Sequence, residues 1–248
     1  MKYFVNIGVI GGILFLIDAL WLFFLGETII LALFWGFFIF GVACVWIAFN
    51  YIPIYLMMMR RGAPTNHWQE SIETACLSGK FTVLDVGCGT GRATIDVARA
   101  FPQANVVGID IFQGASGHSP EQTQRNAKLE GVGDRVEIKS GNLLDIPYPD
   151  NTVDVVTSSS VLHDLHGDSD KLKAVEEIAR VLKTGGIVVA LELFRDWRMW
   201  VSLLFFAMVW NPEKFWRKIL NNGKLQLVNE KKYTRFLNYG VFIAKKSM

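Results

Sequence analysis

Two apolar runs at the start of the chain constrain its fold more than any other feature. Tyr3 to Leu25 is 23 residues with a single charge, Asp18. As a helix it extends roughly 35 Å, more than the ~30 Å hydrocarbon core of a bilayer. It holds fifteen Leu, Ile, Phe or Val residues. At about −0.3 to −0.6 kcal/mol each, these contribute roughly −4.5 to −9 kcal/mol to insertion. Asp18 opposes with at most about 2.5–3.5 kcal/mol, so insertion wins. Ile29 to Phe49 follows, 21 residues with no charge. Only Gly26-Glu27-Thr28 separates the runs, so residues 1–61 are expected to form a transmembrane helical hairpin with an interfacial segment after Pro53. A cleaved signal peptide fits worse, because the run is too long and no small-x-small site follows it. A helical hairpin buried in a soluble protein is the other alternative. Lys2 and Arg60-Arg61 flank the hairpin on one side and Glu27 on the other. The positive-inside rule then puts the N-terminus and everything after Arg61 in the cytoplasm. Gly8 and Gly12, with Ala32 and Gly36, are small residues four apart that permit close helix packing. Asp18 is either functional or reaches toward the outer interface.

The whole chain, 248 residues, is 51% hydrophobic and 19% charged. Its net charge of +2 is unevenly spread. From Asn211 to Met248 nine Lys/Arg face two Glu, giving +7 there and −5 elsewhere. Cys44, Cys76 and Cys88 are widely spaced and form no disulfide framework, metal box or CxxC pair. A reducing compartment is the simple reading.

Residues 62–248 alternate strand and helix patterns. Asn66 is placed to cap a helix with Gln69 three residues on, and Trp68, Ile72 and Cys76 share one face. Phe81 to Val86 reads as a buried strand, followed by a glycine turn and a helix to about Ala100. Asn105 to Asp110 is a second strand. Ser119-Pro120 starts a helix that stops at Gly131. Strands are expected at Arg135–Lys139, Val153–Ser158 and Ile187–Glu192, with a helix at Asp170–Leu182 and a turn at Thr184-Gly185-Gly186. Leu225–Thr234 and Tyr239–Lys245 form a final pair. The fold class is therefore α/β, with a mostly parallel sheet covered on both faces. Ligands of such sheets bind beyond the carboxyl ends of the strands.

The glycine turn identifies the ligand class. "VLDVGCGTGRAT" has Gly87, Gly89 and Gly91, whereas a dinucleotide fingerprint needs a glycine at position 92, which is Arg. Asp85, two residues before the first glycine, would repel a pyrophosphate but suits a ligand with a positive amino group. This pattern, with Asp110 ending the next strand, resembles the class I S-adenosylmethionine-dependent methyltransferases, of the type 11/25-like kind. "GNLL" (Gly141 to Leu144), "IPYPDNTVDVV" (Ile146 to Val156) and "VLKTGG" (Val181 to Gly186) match further family segments in order. Asn142 stands where the family often has Asp, and Thr184 where Pro is usual. The resemblance covers about Trp68 to Lys246. It implies a Rossmann-like seven-stranded sheet and S-adenosyl-L-methionine as cofactor, with S-adenosyl-L-homocysteine as product. It places the cofactor against Asp85, Gly87, Cys88, Gly89, Thr90, Gly91, Asp110, Ile111, Gly141, Asn142, Leu143 and Ser158. Within it, Asp110 would bind the ribose hydroxyls and Asn142 the adenine amino group.

Methyl transfer from a sulfonium needs mainly an aligned nucleophile, and a base only where the nucleophile must lose a proton. The candidates are His163, Asp164 and His166 after strand four and Glu192 at the end of strand five. His163 is either a base or substrate contact, or a residue that only orders its loop. His118 and His67 are given loop and surface roles. Phe112 to Ser119 either folds over the cofactor or forms a mobile surface loop.

Leu193 to Lys218 carries four of the eight tryptophans and an uncharged stretch, Met199 to Trp210. Twelve residues are too few to span a bilayer. Flanking Trp, Lys and Arg suit a headgroup interface, and the basic tail suits anionic lipid. The segment is expected to face lipid and admit an apolar substrate; an ordinary core helix is the alternative. The expected partners are the membrane bilayer and a hydrophobic acceptor (a lipid, quinone or similar small molecule), with no nucleic acid and no metal. Three alternatives remain open: a tethered methyltransferase of a soluble thiol or amine, a protein methyltransferase, and a non-catalytic cofactor-binding scaffold.

Overall fold

In the computed structural model the described residues are 2–23, 28–59, 66–77, 79–113, 118–197, 199–200, 207–208, 210–222, 224–234 and 238–247. The chain divides into two compact units, Met1–Gly62 and Ala63–Met248.

The first unit is a pair of helices, α1 (Lys2–Phe23) and α2 (Thr28–Met59). Phe15 meets Phe37 edge-on with ring centroids 4.4 Å apart. The Gly12 position faces Val45, and Gly41 faces Leu16. Partners fall in number on α2 as they rise on α1, so the helices are antiparallel. Of the small residues singled out above, Gly12 lies at this contact, whereas nothing approaches Gly36. Asp18 is exposed. The exterior is apolar: Ile10, Ile13, Leu14, Ile17, Ile39 and Phe40 are each more than half exposed.

Among the described residues, no helix is long and apolar enough to cross a membrane. The expected transmembrane hairpin is therefore not found among the described residues, which form a helical hairpin with an apolar exterior.

The second unit is built on seven strands: β1 (Phe81–Val86), β2 (Ala104–Asp110), β3 (Val136–Ser140), β4 (Val153–Ser159), β5 (Leu182–Leu193), β6 (Leu225–Thr234) and β7 (Asn238–Lys246). Their order is β3-β2-β1-β4-β5-β7-β6. β1 to β5 are mutually parallel, and β7 is antiparallel to both its neighbours. The helices are α3 (Asn66–Glu73), α4 (Arg92–Ala100), α5 (Pro120–Leu129), α6 (Gly167–Val181) and α7 (Glu213–Ile219).

Strand periodicity sorts the core into two layers. Leu84, Val86, Val156, Val188, Ala190 and Phe242 point to the face covered by α6 and α7, where Ile178 and Trp216 pack. Val83, Val106, Val155, Val189 and Ile243 point to the opposite face, under Trp68, Ile95 and Ala127 of α3, α4 and α5. The strands are buried on both sides, so they read as continuous Val/Ile/Leu runs rather than alternations.

Two boundaries differ from expectation. α6 begins at Gly167 rather than Asp170, with Asp168 and Asp170 in its first turn, where carboxylates offset the helix dipole. Thr184-Gly185-Gly186 is not a turn ahead of β5 but a bulge within it. Leu182 already pairs with Val153, and regular pairing resumes at Ile187 with Val155. Gly185 has φ 79° in that bulge, a left-handed conformation glycine adopts freely.

Arg180 ties the carboxyl end of α6 to the loop before β4. Its guanidinium donates to Glu177, to Asp150 at 2.8 Å and to the carbonyls of Tyr148 and Ile146 at 2.8 Å. The two carbonyls have no replacement donor if it is removed. Arg180→Met is expected to destabilise the unit by about 1–3 kcal/mol. Thermal melting of the full chain checks this, and an unchanged midpoint would refute it.

His67 departs from its assigned surface role. It is buried, 3.9 Å from the Tyr233 ring and 3.4 Å from the Tyr239 hydroxyl. Among the described residues, three of the nine cations of the basic tail are ion-paired. Lys231 pairs with Glu70, Lys232 with Glu213, and Arg217 with Glu213 and Glu230.

Candidate active site

The strand order reverses between β1 and β4, and the crevice at that switch point is where ligands of such sheets bind. The glycine turn stands there because β1 ends at Val86 and α4 begins at Arg92. Gly87, Gly89 and Gly91 have φ of 71°, 50° and 83°. Each lies in the left-handed region where a side chain is strained. The turn is pinned by Gly87 and Cys88 N–H groups donating to Ile109 O. On its other side α5 holds it: Thr123 Oγ1 donates to Gly89 O at 2.7 Å and Asn126 Nδ2 to Thr90 O at 3.0 Å. The Gly91 position is closed by the Thr123 methyl, 2.7 Å from where a Cβ would sit.

Asp110 ends β2 beside the turn. Its Oδ2 accepts from Gly89 N and its Oδ1 from Phe112 N, both at 2.9 Å. The carboxylate is thereby fixed at the rim, half-buried, next to the exposed Ile111. Asp85 sits differently. It is 1% exposed beneath the turn. Thr94 Oγ1 donates to one oxygen at 2.5 Å and Thr157 Oγ1 to the other at 2.8 Å. Burial pushes its pKa up to about 6, against those two hydroxyls, with Asp110 adding to the rise. It orders the turn from below and lends negative potential to the crevice, rather than lining it. Cys88 is also buried, and burial pushes its thiol well above the usual range.

The adenine-side residues divide. Asn142 is exposed, and its Oδ1 accepts from Leu144 N at 2.9 Å, closing its own turn. Leu143 is a core residue, 7% exposed. Gly141 N donates to Asp110 O, so this turn is anchored to β2. Thr90 is exposed on the glycine turn. Ser158, near the end of β4 and paired with Val86, is fully buried, and its hydroxyl has no partner. A buried, unsatisfied hydroxyl at the switch point fits a polar ligand group. The residues therefore suit an adenosyl sulfonium: a left-handed glycine cradle, a rim carboxylate for hydroxyls, a buried carboxylate below and an orphaned hydroxyl.

Of the catalytic candidates, His163, Asp164 and Glu192 come together. Glu192, with no exposed surface, ends β5 and accepts at Oε1 from Leu162 N at 3.0 Å and Val161 N at 3.3 Å. Its Oε2 lies 2.9 Å from His163 Nδ1. A carboxylate only accepts, so Nδ1 carries the proton and Nε2 keeps its lone pair. Asp164 Oδ1 is 3.4 Å from Nε2 and largely exposed. Burial alone pulls the His163 pKa down, but the Glu192 hydrogen bond and charge, then Asp164, leave it above the ordinary value. The short 3₁₀ turn Leu162–Asp164 thus presents an imidazole oriented by a buried carboxylate.

The segment after β5 is mixed. Phe194, Met199, Ala207 and Trp216 are buried, while Trp197, Trp200 and Met208 are exposed. Residues 198, 201–206 and 209 of the expected lipid-facing stretch lie outside the described residues. Of the loop after Asp110, residues 114–117 are likewise outside them. Its far end, His118, packs against Gly89. Sequence reasoning missed Thr94, Thr123, Thr157 and Asn126, because hydroxyls and amides that brace a loop carry no spacing signal. Thr94, in "GRAT", was the most accessible of them.

The fold is that of the class I S-adenosylmethionine-dependent methyltransferases. The family model described as Methyltransferase domain, type 11, matches residues 84–190. The chain is 33% identical over 126 residues to a demethylmenaquinone methyltransferase of Symbiobacterium thermophilum, covering 50% of this chain and 47% of that one. It spans about half the length of the curated demethylmenaquinone methyltransferases it matches. Among solved structures, a S-adenosylmethionine-dependent methyltransferase of Methanosarcina mazei superposes with TM-score 0.61 at 19% identity, over 71% of this chain and 97% of that one. A geranyl diphosphate methyltransferase in complex with S-adenosylmethionine gives TM-score 0.58 at 18% identity, over 73% and 85%. The structural likenesses support the fold, and the family match supports a methyltransferase domain within it.

Proposed function

We propose that the protein transfers a methyl group from S-adenosylmethionine to a hydrophobic small-molecule acceptor at the cytoplasmic face of a membrane, in which the α1–α2 hairpin anchors it. The observation that carries the catalytic part is the His163–Glu192 pair at the carboxyl ends of β4 and β5, beside the glycine cradle. The bound cofactor supplies an electrophilic methyl on a sulfonium. Asp110 and the glycine turn hold it, Asp85 keeps the turn in shape, and Glu192 fixes the imidazole. His163 Nε2 takes the proton of the acceptor as the acceptor's electron pair takes the methyl, and Asp164 lies beside the imidazolium that results. The hydrophobic acceptor is favoured by relatives named for demethylmenaquinone and by a structural neighbour named for geranyl diphosphate.

The membrane part rests on the hydropathy of both runs and on the apolar exterior of the hairpin. Lys2 and Arg60-Arg61 on one side, with Glu27 on the other, orient it. Exposed Trp197, Trp200 and Met208 suit an interfacial approach by the acceptor.

The test uses full-length protein in nanodiscs with methyl-labelled S-adenosylmethionine and total membrane extract, separated into lipid, protein and soluble fractions. An Asp85→Ala, Asp110→Ala double variant is the blank. Label in the lipid fraction is expected; label only in protein or soluble fractions refutes the membrane acceptor.

The proton step also sets a pH dependence. Protonated His163 cannot act as a base, and its pKa stands above the ordinary value. Transfer should therefore rise with pH through that raised pKa. Glu192→Gln removes the stronger of the two carboxylates that raise it, so the limb should move to lower pH while the plateau falls. A pH profile of kcat/KM checks this, and an unmoved limb would remove His163 from the role.

A further inference from the structure

A second polar cluster lies next to His163, and the transfer step does not use it. Lys171, in the first turns of α6, is only 5% exposed. Its ammonium donates to Asn211 Oδ1 at 2.5 Å and lies over the rings of Phe215 and Trp216, 5.9 and 6.0 Å from their centroids. Among the described residues no carboxylate lies within ion-pair distance of it. The nearest acidic group in this network, Asp168, is exposed and accepts from the Asn211 amide instead. A buried ammonium whose partners, one amide oxygen and two ring faces, are all neutral is costly, and such cations are ordinarily paired with an anion.

The residue before Asn211 supplies the second observation. Trp210 packs toward His163, ring centroids 6.3 Å apart, and its buried indole N–H has no acceptor. The pair Trp210-Asn211 therefore links the imidazole to the ammonium. The carboxylates near this strip are engaged elsewhere: Glu192 holds His163 and two backbone N–H groups, and Asp164 faces solvent beside Nε2. The Lys171 charge is close enough to oppose protonation of His163. What remains is an ammonium and an indole N–H, both donors, in an apolar wall of Phe215 and Trp216.

We propose that Lys171 and Trp210 form an oxyanion subsite, which holds the acceptor by a negatively charged oxygen carried on an apolar frame. This deepens the methyltransferase reading and rests on it. Asn211 is a positioning residue that steers the ammonium. The subsite selects ionised acceptors over neutral ones of the same shape, because an uncharged group leaves the buried ammonium unpaired.

The test is calorimetric, on full-length protein in zwitterionic nanodiscs with S-adenosylhomocysteine present. The probes are naphthalene-2-carboxylate and its neutral carboxamide, which share a ring frame and differ in charge. The wild type is expected to bind the carboxylate at least about tenfold tighter, as for a charge-assisted hydrogen bond in a buried site. Lys171→Met should erase that preference, and Trp210→Phe should reduce it several-fold. Both should leave carboxamide and S-adenosylhomocysteine affinities unchanged, which a merely structural role would not. A wild type that binds neither probe, or both alike, overturns the proposal. So does retention of the full preference in either variant that still binds S-adenosylhomocysteine. If one variant fails to fold, the other decides. Methyl transfer is not the readout, so loss of the probe preference and loss of methyltransferase activity are separate results.

Discussion

Gly87→Val is expected to abolish S-adenosylmethionine binding, with affinity lowered by at least about a hundredfold. Two independent strains add. The residue has φ 71°, which a β-branched side chain does not tolerate. Its Cβ would also fall inside the Val161 side chain, with the Val161 Cβ 2.6 Å away. Val161 cannot retreat cheaply, because its N–H is tied to Glu192 and it leads into the turn bearing His163. The turn must therefore shift at the point where it meets both the cofactor and the base. Two conformational penalties of about 1–3 kcal/mol each account for a hundredfold loss. Equilibrium binding of S-adenosylhomocysteine to the purified variant measures it. Binding within threefold of wild type would mean that the turn does not carry the cofactor. Gly131→Ala is the control: nothing lies within 4 Å of its Cβ position. It shares the positive φ but stands at the end of α5, so it should cost some stability and spare binding.

His163→Ala is the second large effect, and it acts on a different step. Loss of a positioned base lowers transfer by about 10²–10⁴-fold. Cofactor affinity should stay within about twofold, since the imidazole's partners are Glu192 and Asp164 rather than the glycine turn. The variant leaves Glu192 buried without its imidazole, so some loss of thermal stability accompanies it. His163→Gln restores a donor to Glu192 without restoring a base; it should recover stability but not rate. Single-turnover rates at saturating cofactor separate the two. A full rate in either variant would show that the acceptor's nucleophile needs no base.

Much of this was legible in one dimension because it depends on local chemistry. Each of the glycines at 87, 89 and 91 occupies a backbone conformation that other residues resist, so the turn is written in its own composition. The Ser119-Pro120 start of α5 was legible for the same reason: the Ser119 side chain accepts from Gln122 N. The strands could be recognised because burial on both faces demands unbroken apolar runs. The start of α6 and the bulge in β5 were less legible. Helix ends depend on a few tenths of a kcal/mol, and the Leu182–Val153 pair that absorbs the bulge joins residues 29 apart.

The site shows the division most sharply. Residue type and spacing were enough to nominate Asp85, Asp110, His163 and Glu192. They could not distinguish the two aspartates, one sealed under the turn by Thr94 and Thr157 and the other set at its rim. Nor could they show that Glu192 meets His163 across 29 residues, or that Lys171 is buried against Asn211, 40 residues on. By itself the sequence determined the α/β class, the glycine cradle and the apolar character of the first helices, because each follows from conformational preference or from transfer of side chains out of water. Only the tertiary structure decided which polar groups are paired and which are orphaned. Those properties depend on distances between residues remote in the chain, and no local preference encodes them.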